Sequence, residues 1–247
     1  MGTFFNTILG QPLFNTLVFL YKTVAFQDLG LAIILLTLII RFILYPLFYH
    51  SFKNQTVMQR LQPEIQKIQH THKENKERQA QAMMELYKQH KVNPFSGFLL
   101  ILVQLPILIV LYQVFLKGIT PEAFSNLYSF ISPPSQINHS FLGLIDLGAR
   151  SILIVVLAAI LQYFQGRLSL PKQSPDSPAA RMGKSMVFIG PIMTILILSN
   201  LPSAIGLYWL TTSAFSIIQQ IAINRKLDHE RSIQGTSKKN GGDAGPK

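Results

Sequence analysis

The sequence has 247 residues, of which 49% are hydrophobic and only 13% are charged, with a formal net charge of +11 at pH 7. Several long apolar runs place it among helical membrane proteins rather than soluble domains. The absence of cysteine excludes disulfides, thiolate metal sites and cysteine nucleophiles. A positive charge suggests nucleic acid in a soluble protein, but here the excess of Lys and Arg in cytosolic loops explains it without a DNA partner.

Residues 1–27 are predicted to form an amphipathic helix that lies in the membrane interface. Polar Thr7, Gln11 and Asn15 recur at helical spacing. The apolar residues on the other side are Phe4, Phe5, Ile8, Leu9, Leu13, Leu17 and Leu20. Pro12 inside the segment also favours a surface position over a span. A spanning helix is the alternative, and either arrangement brings Asp28 to the same side of the membrane.

The first predicted span, residues 29–49, carries Arg41 well inside its apolar run. An arginine at mid-membrane costs roughly 3 kcal/mol on insertion scales. No acidic residue in the other predicted spans can neutralise it, so it must reach water, headgroups or a visiting anion. Two interpretations follow: Arg41 extends to the cytosolic headgroups, or it belongs to a hydrated functional site.

The polar segment after this span is predicted to be a cytosolic helical hairpin over residues 53–91. It is rich in Lys and Arg, which favours the cytosolic side. Two apolar stripes lie on either side of a turn at residues 72–75, and they consist of Leu61, Ile65 and Ile68, and then Ala80, Met83, Met84 and Tyr87. A solvated charged loop is the alternative.

Four further spans are predicted, at residues 95–116, 151–165, 186–198 and 204–223. Residues 117–150 lie outside, with an apolar patch at 141–145 that could touch the outer leaflet. The basic tail, residues 226–247, is predicted to be disordered and cytosolic. Phosphate contacts from this tail to ribosomal RNA are an alternative use of the same charges. Only Lys22, Lys117 and Arg150 fall on the outer side, so the N-terminus is expected outside and the C-terminus in the cytosol.

The sequence contains no catalytic constellation, and we expect a protein that is not an enzyme and has no cofactor or metal. Gly183-Lys184-Ser185 resembles the end of a phosphate-binding loop, but Pro178 occupies the position of its first glycine. His70 and His72 are not part of a zinc-binding helix motif. The remaining candidates are polar residues inside the spans, namely Arg41, Gln104, Gln162, Gln113 and Tyr112, which could also simply link neighbouring helices.

Several ordered motifs resemble the YidC/Oxa/Alb membrane protein insertases, in their short bacterial YidC form. They are Arg41–Leu47, Leu61–Ile65, Met84–Lys88, Val92-Asn93-Pro94, Gln104–Ile107, Gly206–Trp209 and Ile217–Gln220. The resemblance implies an all-α polytopic membrane protein with five transmembrane helices around a hydrophilic groove open to the cytosol. Domains follow as the interfacial helix 1–27, a core 28–225 that includes the hairpin, and the tail.

The resemblance also implies a site and a function. Arg41 matches the groove arginine of the family, Gln104 and Gln162 are its companions, and Tyr112 adds to the lining. Trp209 matches an aromatic residue at the outer end of the groove, or equally serves as an interfacial belt residue. The expected function is a nucleotide-independent insertase and chaperone of the bacterial plasma membrane. Its partners would be nascent membrane proteins and the lipid bilayer, with the ribosome, the signal recognition particle system and the Sec translocon as further candidates. A small channel or transporter, and an assembly factor, are the alternatives.

Overall fold

The computed structural model describes residues 6–116, 121–170 and 178–241, and α-helices dominate it. The helices are α1 Gln11–Thr23, α2 Leu29–Ile43, α3 Tyr45–Thr71, α4 Lys76–Gln89, α5 Ser96–Leu116, α6 Ile152–Leu168, α7 Pro178–Leu198 and α8 Ser203–Gly241. A π-helical turn, Asn6–Gly10, precedes α1, and a 3-10 helix, Pro121–Asn126, follows α5. Strands β1 Ser140–Phe141 and β2 Ile145–Asp146 pair antiparallel. The predictions that involve Phe4, Phe5, Lys117 and residues 242–247 lie outside the described residues.

Among the described helices, α5 alone is long and apolar enough to cross a membrane unaided. Its window Ser96–Gln113 has a mean hydropathy of 2.0. The bent pair α2 and α3 forms a second candidate, while α6 and the apolar part of α7, Val187–Leu198, are shorter. The arrangement of five spans therefore stays a prediction on length and composition.

The first predicted span, residues 29–49, is not one straight helix. Instead of continuing to residue 49, α2 ends at Ile43, and the chain turns by 70° into α3. Leu44 between them has φ −87° and ψ 4°, outside the helical range. Pro46 in the first turn of α3 has no N–H to continue the hydrogen-bond ladder of α2. Arg41 consequently lies in the last turn of α2, next to the start of α3.

The largest apolar core lies around α2. Leu29, Ala32, Ile33 and Leu36 recur at helical spacing and are all at most 2% exposed. They pack with residues of α1, α5 and α8, which include Leu17, Tyr21, Ile107, Leu111, Leu207 and Tyr208. α2 thus forms the centre of this core, and Arg41 is at its end.

The polar side of α1 forms hydrogen bonds with residues 121–150, which we call the cap segment. Asn15 is 1% exposed, and its amide donates to the carbonyls of Gln11 (2.8 Å) and Asn126 (3.0 Å). Its side-chain oxygen accepts from the backbone N–H of Tyr128 at 2.6 Å. Pro12 lies in the first turn of the helix, where it costs no hydrogen bond, rather than in its interior.

A small hairpin of the cap segment is attached to the start of α2. Its strands are joined by the three residues 142–144, in which Leu142 (φ 51°) and Gly143 (φ 71°) have positive φ and the N–H of Leu144 donates to the carbonyl of Phe141 at 3.0 Å. Within the predicted apolar patch, Leu142 and Leu144 are exposed and Phe141 packs on Gly30. At the other edge, the hydroxyl of Ser203 donates to the carbonyl of Asp146 at 3.0 Å. The cap segment therefore joins the N-terminal ends of α2 and α8.

Asp28 is expected to be the most sensitive polar attachment of this hairpin. Its Oδ1 caps α2 by accepting from Leu31 N–H (2.9 Å), and its Oδ2 accepts from Leu142 N–H (2.6 Å). Asp28→Ala should lower the free energy of unfolding by about 2 kcal/mol, because it removes a cap and leaves a second donor unpaired. Asp28→Asn, which keeps one acceptor oxygen, should lose about half of that. Unfolding in detergent would measure both, and equal stability of all three proteins would contradict the assignment.

The region of the predicted hairpin contains α3 and α4, which are joined at residues 72–75. Asn75 caps α4 by accepting from Arg78 N–H at 2.9 Å. Leu61 and Ile65 of α3 pack against Leu86 of α4, and Val92 closes the cluster. α3 begins earlier than predicted, at Tyr45, so the hairpin and the bend below Arg41 belong to the same helix.

The prediction of a disordered tail is wrong over residues 226–241, where α8 continues without a break. Ile223 and Leu227 pack against Phe48 and Phe52 of α3, and these contacts stabilise helix beyond the apolar run. Composition alone did not reveal this partner, since Leu227 is the one residue of the extension in this apolar contact with α3.

Candidate functional site

The guanidinium of Arg41 is enclosed by the protein. The residue is 4% exposed, and its Cζ lies 4.1 Å from the centre of the Phe48 ring. The ring face attracts a cation. The carboxyl end of α2, which carries partial negative charge, also stabilises one. Nη1 is buried without a hydrogen-bond partner, and within the described ranges Arg41 forms no ion pair. A side chain buried in this way does not fit extension among headgroups.

Tyr208 connects Arg41 to Gln104. Tyr208, on α8, is 2% exposed and lies within electrostatic reach of Arg41. Its hydroxyl accepts a hydrogen bond from Nε2 of Gln104, on α5. A hydrogen bond thus joins α5 to α8 near the end of α2 that carries Arg41. Sequence reasoning missed Tyr208 as a site residue, although it is part of the motif Gly206–Trp209.

Gln162 lies in a second polar contact, between α6 and α8. Its Oε1 accepts from the hydroxyl of Ser213 at 3.2 Å. Gly190 of α7 is close by, since a Cβ at that position would lie 3.1 Å from Gln162 Cγ. The glycine therefore permits α7 to approach α6 at this level. The contact of Gln162 with Ser213 is separate from the Arg41, Tyr208 and Gln104 group.

The two predicted aromatic site residues occupy other surroundings. Trp209 packs with Val155 and Ala158 of α6 and with Leu198 of α7. Tyr112 is 36% exposed on α5. Their assignment to a substrate groove stays a prediction.

A buried polar stripe on α8 was also missed. Ser216, Gln219 and Gln220 are at most 3% exposed. Both amide atoms of Gln219 and Oε1 of Gln220 have no hydrogen-bond partner, while Nε2 of Gln220 donates to Ser169 at 3.3 Å. Their signal in the sequence was the motif Ile217–Gln220.

This stripe reaches the level of Arg41. Gln219 precedes Ile223 by about one helical turn on the same face of α8, and Ile223 packs with Phe48, the ring that lies over Arg41. Leaving a buried polar atom unpaired costs about 1–3 kcal/mol. Water or a polar ligand commonly satisfies such atoms. The region is therefore suited to accept an anion and the polar groups of a peptide.

The described residues contain no group of three or more His, Asp or Glu placed to hold a metal ion. The site has a cation, amides and hydroxyls, and these groups can bind and orient but form no nucleophile–base pair. Groups of this kind can bind an anion or a polar peptide group.

Comparison with known proteins decides the relationship. The sequence model described as 60Kd inner membrane protein matches residues 19–230. The chain belongs to this family. Relatives in the family include proteins named membrane protein insertase YidC from Clostridium tetani, 38% identical over 82% of this chain and 84% of the relative, and from Fusobacterium nucleatum, 36% identical over 81% and 87%. The resemblance inferred from the motifs is confirmed.

A solved member of the 60Kd inner membrane protein family has the same helical fold. Its crystal structure is described as an active YidC insertase with the first transmembrane domain resolved, and it matches with a TM-score of 0.58 at 28% identity. The match covers 88% of this chain but 46% of that one. Likewise, the chain spans 37% of a YidC from Geobacter metallireducens, at 31% identity over 89% of this chain. The family therefore includes members of different lengths, and the matched part contains all five predicted site residues.

Proposed function

We propose that this protein is a membrane protein insertase and chaperone that moves nascent transmembrane segments with short translocated tails into the bilayer without nucleotide hydrolysis. Membership of the family and the names of its similar relatives support this function. The single observation that carries the mechanism is Arg41, buried and without an ion pair among the described residues. A buried cation that lacks a resident anion is suited to receive a transient one.

The membrane arrangement that fits this function has five spans, formed by α2, α5, α6, the apolar part of α7 and the first part of α8. α6 has 17 residues, which gives about 26 Å at 1.5 Å per residue. The apolar part of α7 is shorter still. Both are shorter than the ~30 Å hydrocarbon core, so the bilayer next to them would be thinned. A thinner bilayer shortens the distance over which a polar tail is without water.

The site supports a stepwise transfer. In lipid each unsatisfied backbone polar group costs several kcal/mol. Arg41, Gln104 and the amides of α8 would replace water around the tail as it enters from the cytosol. The apolar segment of the substrate would then move into lipid, and burial of its apolar surface supplies the driving force.

The closed side of such a groove would be the cap segment. Backbone groups of this segment are bound by Asn15, Asp28 and Ser203. The basic residues of α3, α4 and α8 would then face the cytosol, with the N-terminus outside the bacterial plasma membrane. This orientation presents the α3–α4 hairpin to cytosolic partners, for which the ribosome, the signal recognition particle system and the Sec translocon are candidates.

Insertion by the purified protein tests the function. The protein reconstituted in liposomes, with no nucleotide present, should protect the tail of an added single-span substrate from external protease, while empty liposomes should not. Ion flux without substrate would instead identify a channel. Insertion that requires a second membrane protein would identify an assembly factor.

A further inference from the structure

α3 and α8 are joined by a polar seam on the side away from the cap segment. Thr56 Oγ1 donates to Asn224 Oδ1 at 2.9 Å, and Arg60 Nη2 donates to Asp228 Oδ1 at 2.6 Å. From the first contact to the second, the residue number rises by four on α3 and by four on α8. The two helices therefore run side by side in the same direction. The polar seam follows the apolar contact of Phe52 with Ile223 and Leu227.

A cavity of about 410 Å³ lies beside this seam. The four seam residues line it together with Gln59, and Leu168 and Leu170 at the end of α6 form another wall. Its volume is in the range of small ligand sites. Nε2 of Gln59 is buried without a hydrogen-bond partner. The cavity thus offers the Arg60 guanidinium next to apolar surface.

Building on the proposed insertase function, we propose that an acidic residue of the arriving substrate first binds Arg60 in this cavity, and that the Asp228 carboxylate holds that position when no substrate is present. The ion pair shows that a carboxylate fits the guanidinium at 2.6 Å. Exchange of one carboxylate for another keeps Arg60 paired. The exchange also releases Asp228 at low cost, because its side chain is already 60% exposed, compared with 19% for Arg60.

The location of the cavity suits a binding step that precedes the arrival of the substrate at Arg41. α8 carries the seam, then Ile223 against Phe48, and then the buried Gln219 and Gln220. An acidic tail that passes from Arg60 to Arg41 would move along α8, past the apolar contact of Ile223 with Phe48, toward Gln219 and Gln220. The donor-rich lining also suits the phosphate of a lipid headgroup, and the test separates this occupant.

Photocrosslinking from position 63, on the wall of the cavity, would test the proposal. The substrates would be two otherwise identical single-span peptides, one with an acidic tail and one with glutamines in its place. Arg60→Gln should lower the crosslinking yield of the acidic peptide about tenfold and leave the neutral peptide unchanged. Arg78→Gln removes the same charge from an exposed position of α4 and should change neither. Asp228→Asn should raise the yield of the acidic peptide at low concentration, because it removes the internal competitor.

Charge reversal tests whether Arg60 binds the acidic substrate or only holds α3 and α8 together. The double variant Arg60→Asp, Asp228→Arg can restore the ion pair between α3 and α8, but it places the cation on the other helix. Crosslinking of the acidic peptide should stay low in this variant. Its full recovery, or an equal loss of both peptides in Arg60→Gln, would overturn the proposal.

Two further comparisons complete the test: a change of lipid composition, and insertion by the wild-type protein. Crosslinking of the acidic peptide would disappear as anionic lipid replaces zwitterionic lipid if lipid phosphate occupied the cavity. That result, together with an unchanged yield in Asp228→Asn, would overturn the proposal. Failure of the wild-type protein to insert any substrate would count against the proposed function instead. Normal insertion with an Arg60→Gln yield equal to wild type would overturn this inference alone.

Discussion

Arg41→Ala is expected to reduce insertion of a substrate with an acidic tail by roughly 10- to 100-fold. A charge-assisted hydrogen bond contributes about 1.5–3 kcal/mol, and loss of that amount for a tail inside the site corresponds to this range. Arg41→Lys should keep most of the activity, since lysine supplies a cation although not the planar fork of arginine. Protease protection of the substrate tail in liposomes measures both.

The controls address charge and folding separately. Arg150→Ala removes an exposed cation from the cap segment and should insert the substrate at the wild-type rate. A substrate whose tail is uncharged should depend much less on Arg41, because no anion has to be received. Equal insertion of the acidic substrate by the wild type and Arg41→Ala, with both proteins folded, would refute the receptor role of this guanidinium.

Gly30→Ala should have the largest effect on the cap segment. A Cβ at this position would lie closer than 3.0 Å to the ring atoms Cδ2 and Cγ of Phe141 and to the Cβ that carries the ring. The hairpin must therefore move away from α2. Overpacking of this kind costs about 1–3 kcal/mol, and it should also weaken the bond from Leu142 to Asp28. Chemical unfolding in detergent would measure the loss.

Two further variants make this prediction specific. Gly97→Ala, where a Cβ would meet nothing within 4 Å, should leave stability unchanged or raise it slightly. Phe141→Ala in the Gly30→Ala background removes the clash with the ring, leaves only the contact between the two Cβ atoms, and should restore part of the stability. A cysteine placed at position 104 in this cysteine-free chain should become accessible to a reagent from the cap side in Gly30→Ala only. Labelling equal to that of the parent protein would show that the hairpin does not close that side.

The helical character of the chain was predictable because it depends on local patterns. The apolar runs around residues 29–43 and 96–116 are continuous, and each forms a helix. Arg41 was also predictable as a site candidate, since a charge inside such a run has a cost that a sequence reveals directly. The family followed from several short motifs in a fixed order rather than from any one of them.

The missing parts depend on contacts distant in sequence. Asn15 looked like the wet side of an interfacial helix, but residues 126 and 128 bury it. Tyr208 gained its role from Gln104 on another helix. Gln219 and Gln220 are unremarkable in a hydropathy profile, because polar residues near the end of a span are common. Their burial, and the contact of Gln220 with Ser169 at the end of α6, distinguish them.

The bend between α2 and α3 could have been located but not measured. Pro46 marks an interruption, yet a proline in a first helical turn is compatible with many angles. The value of 70° depends on Phe48 and Phe52 reaching Ile223 and Leu227. The same contacts stabilise the start of the α8 extension, so one tertiary contact bears on both the bend and the extension.

The bend has a mechanical consequence. α3 is a rod of 27 residues, about 40 Å long, pivoted next to Leu44. Phe48, whose ring lies over the guanidinium of Arg41, is close to this bend, and Thr71 is at the far end of the helix. A rotation of α3 about the bend would therefore move the ring of Phe48 by a much smaller distance than it moves Thr71.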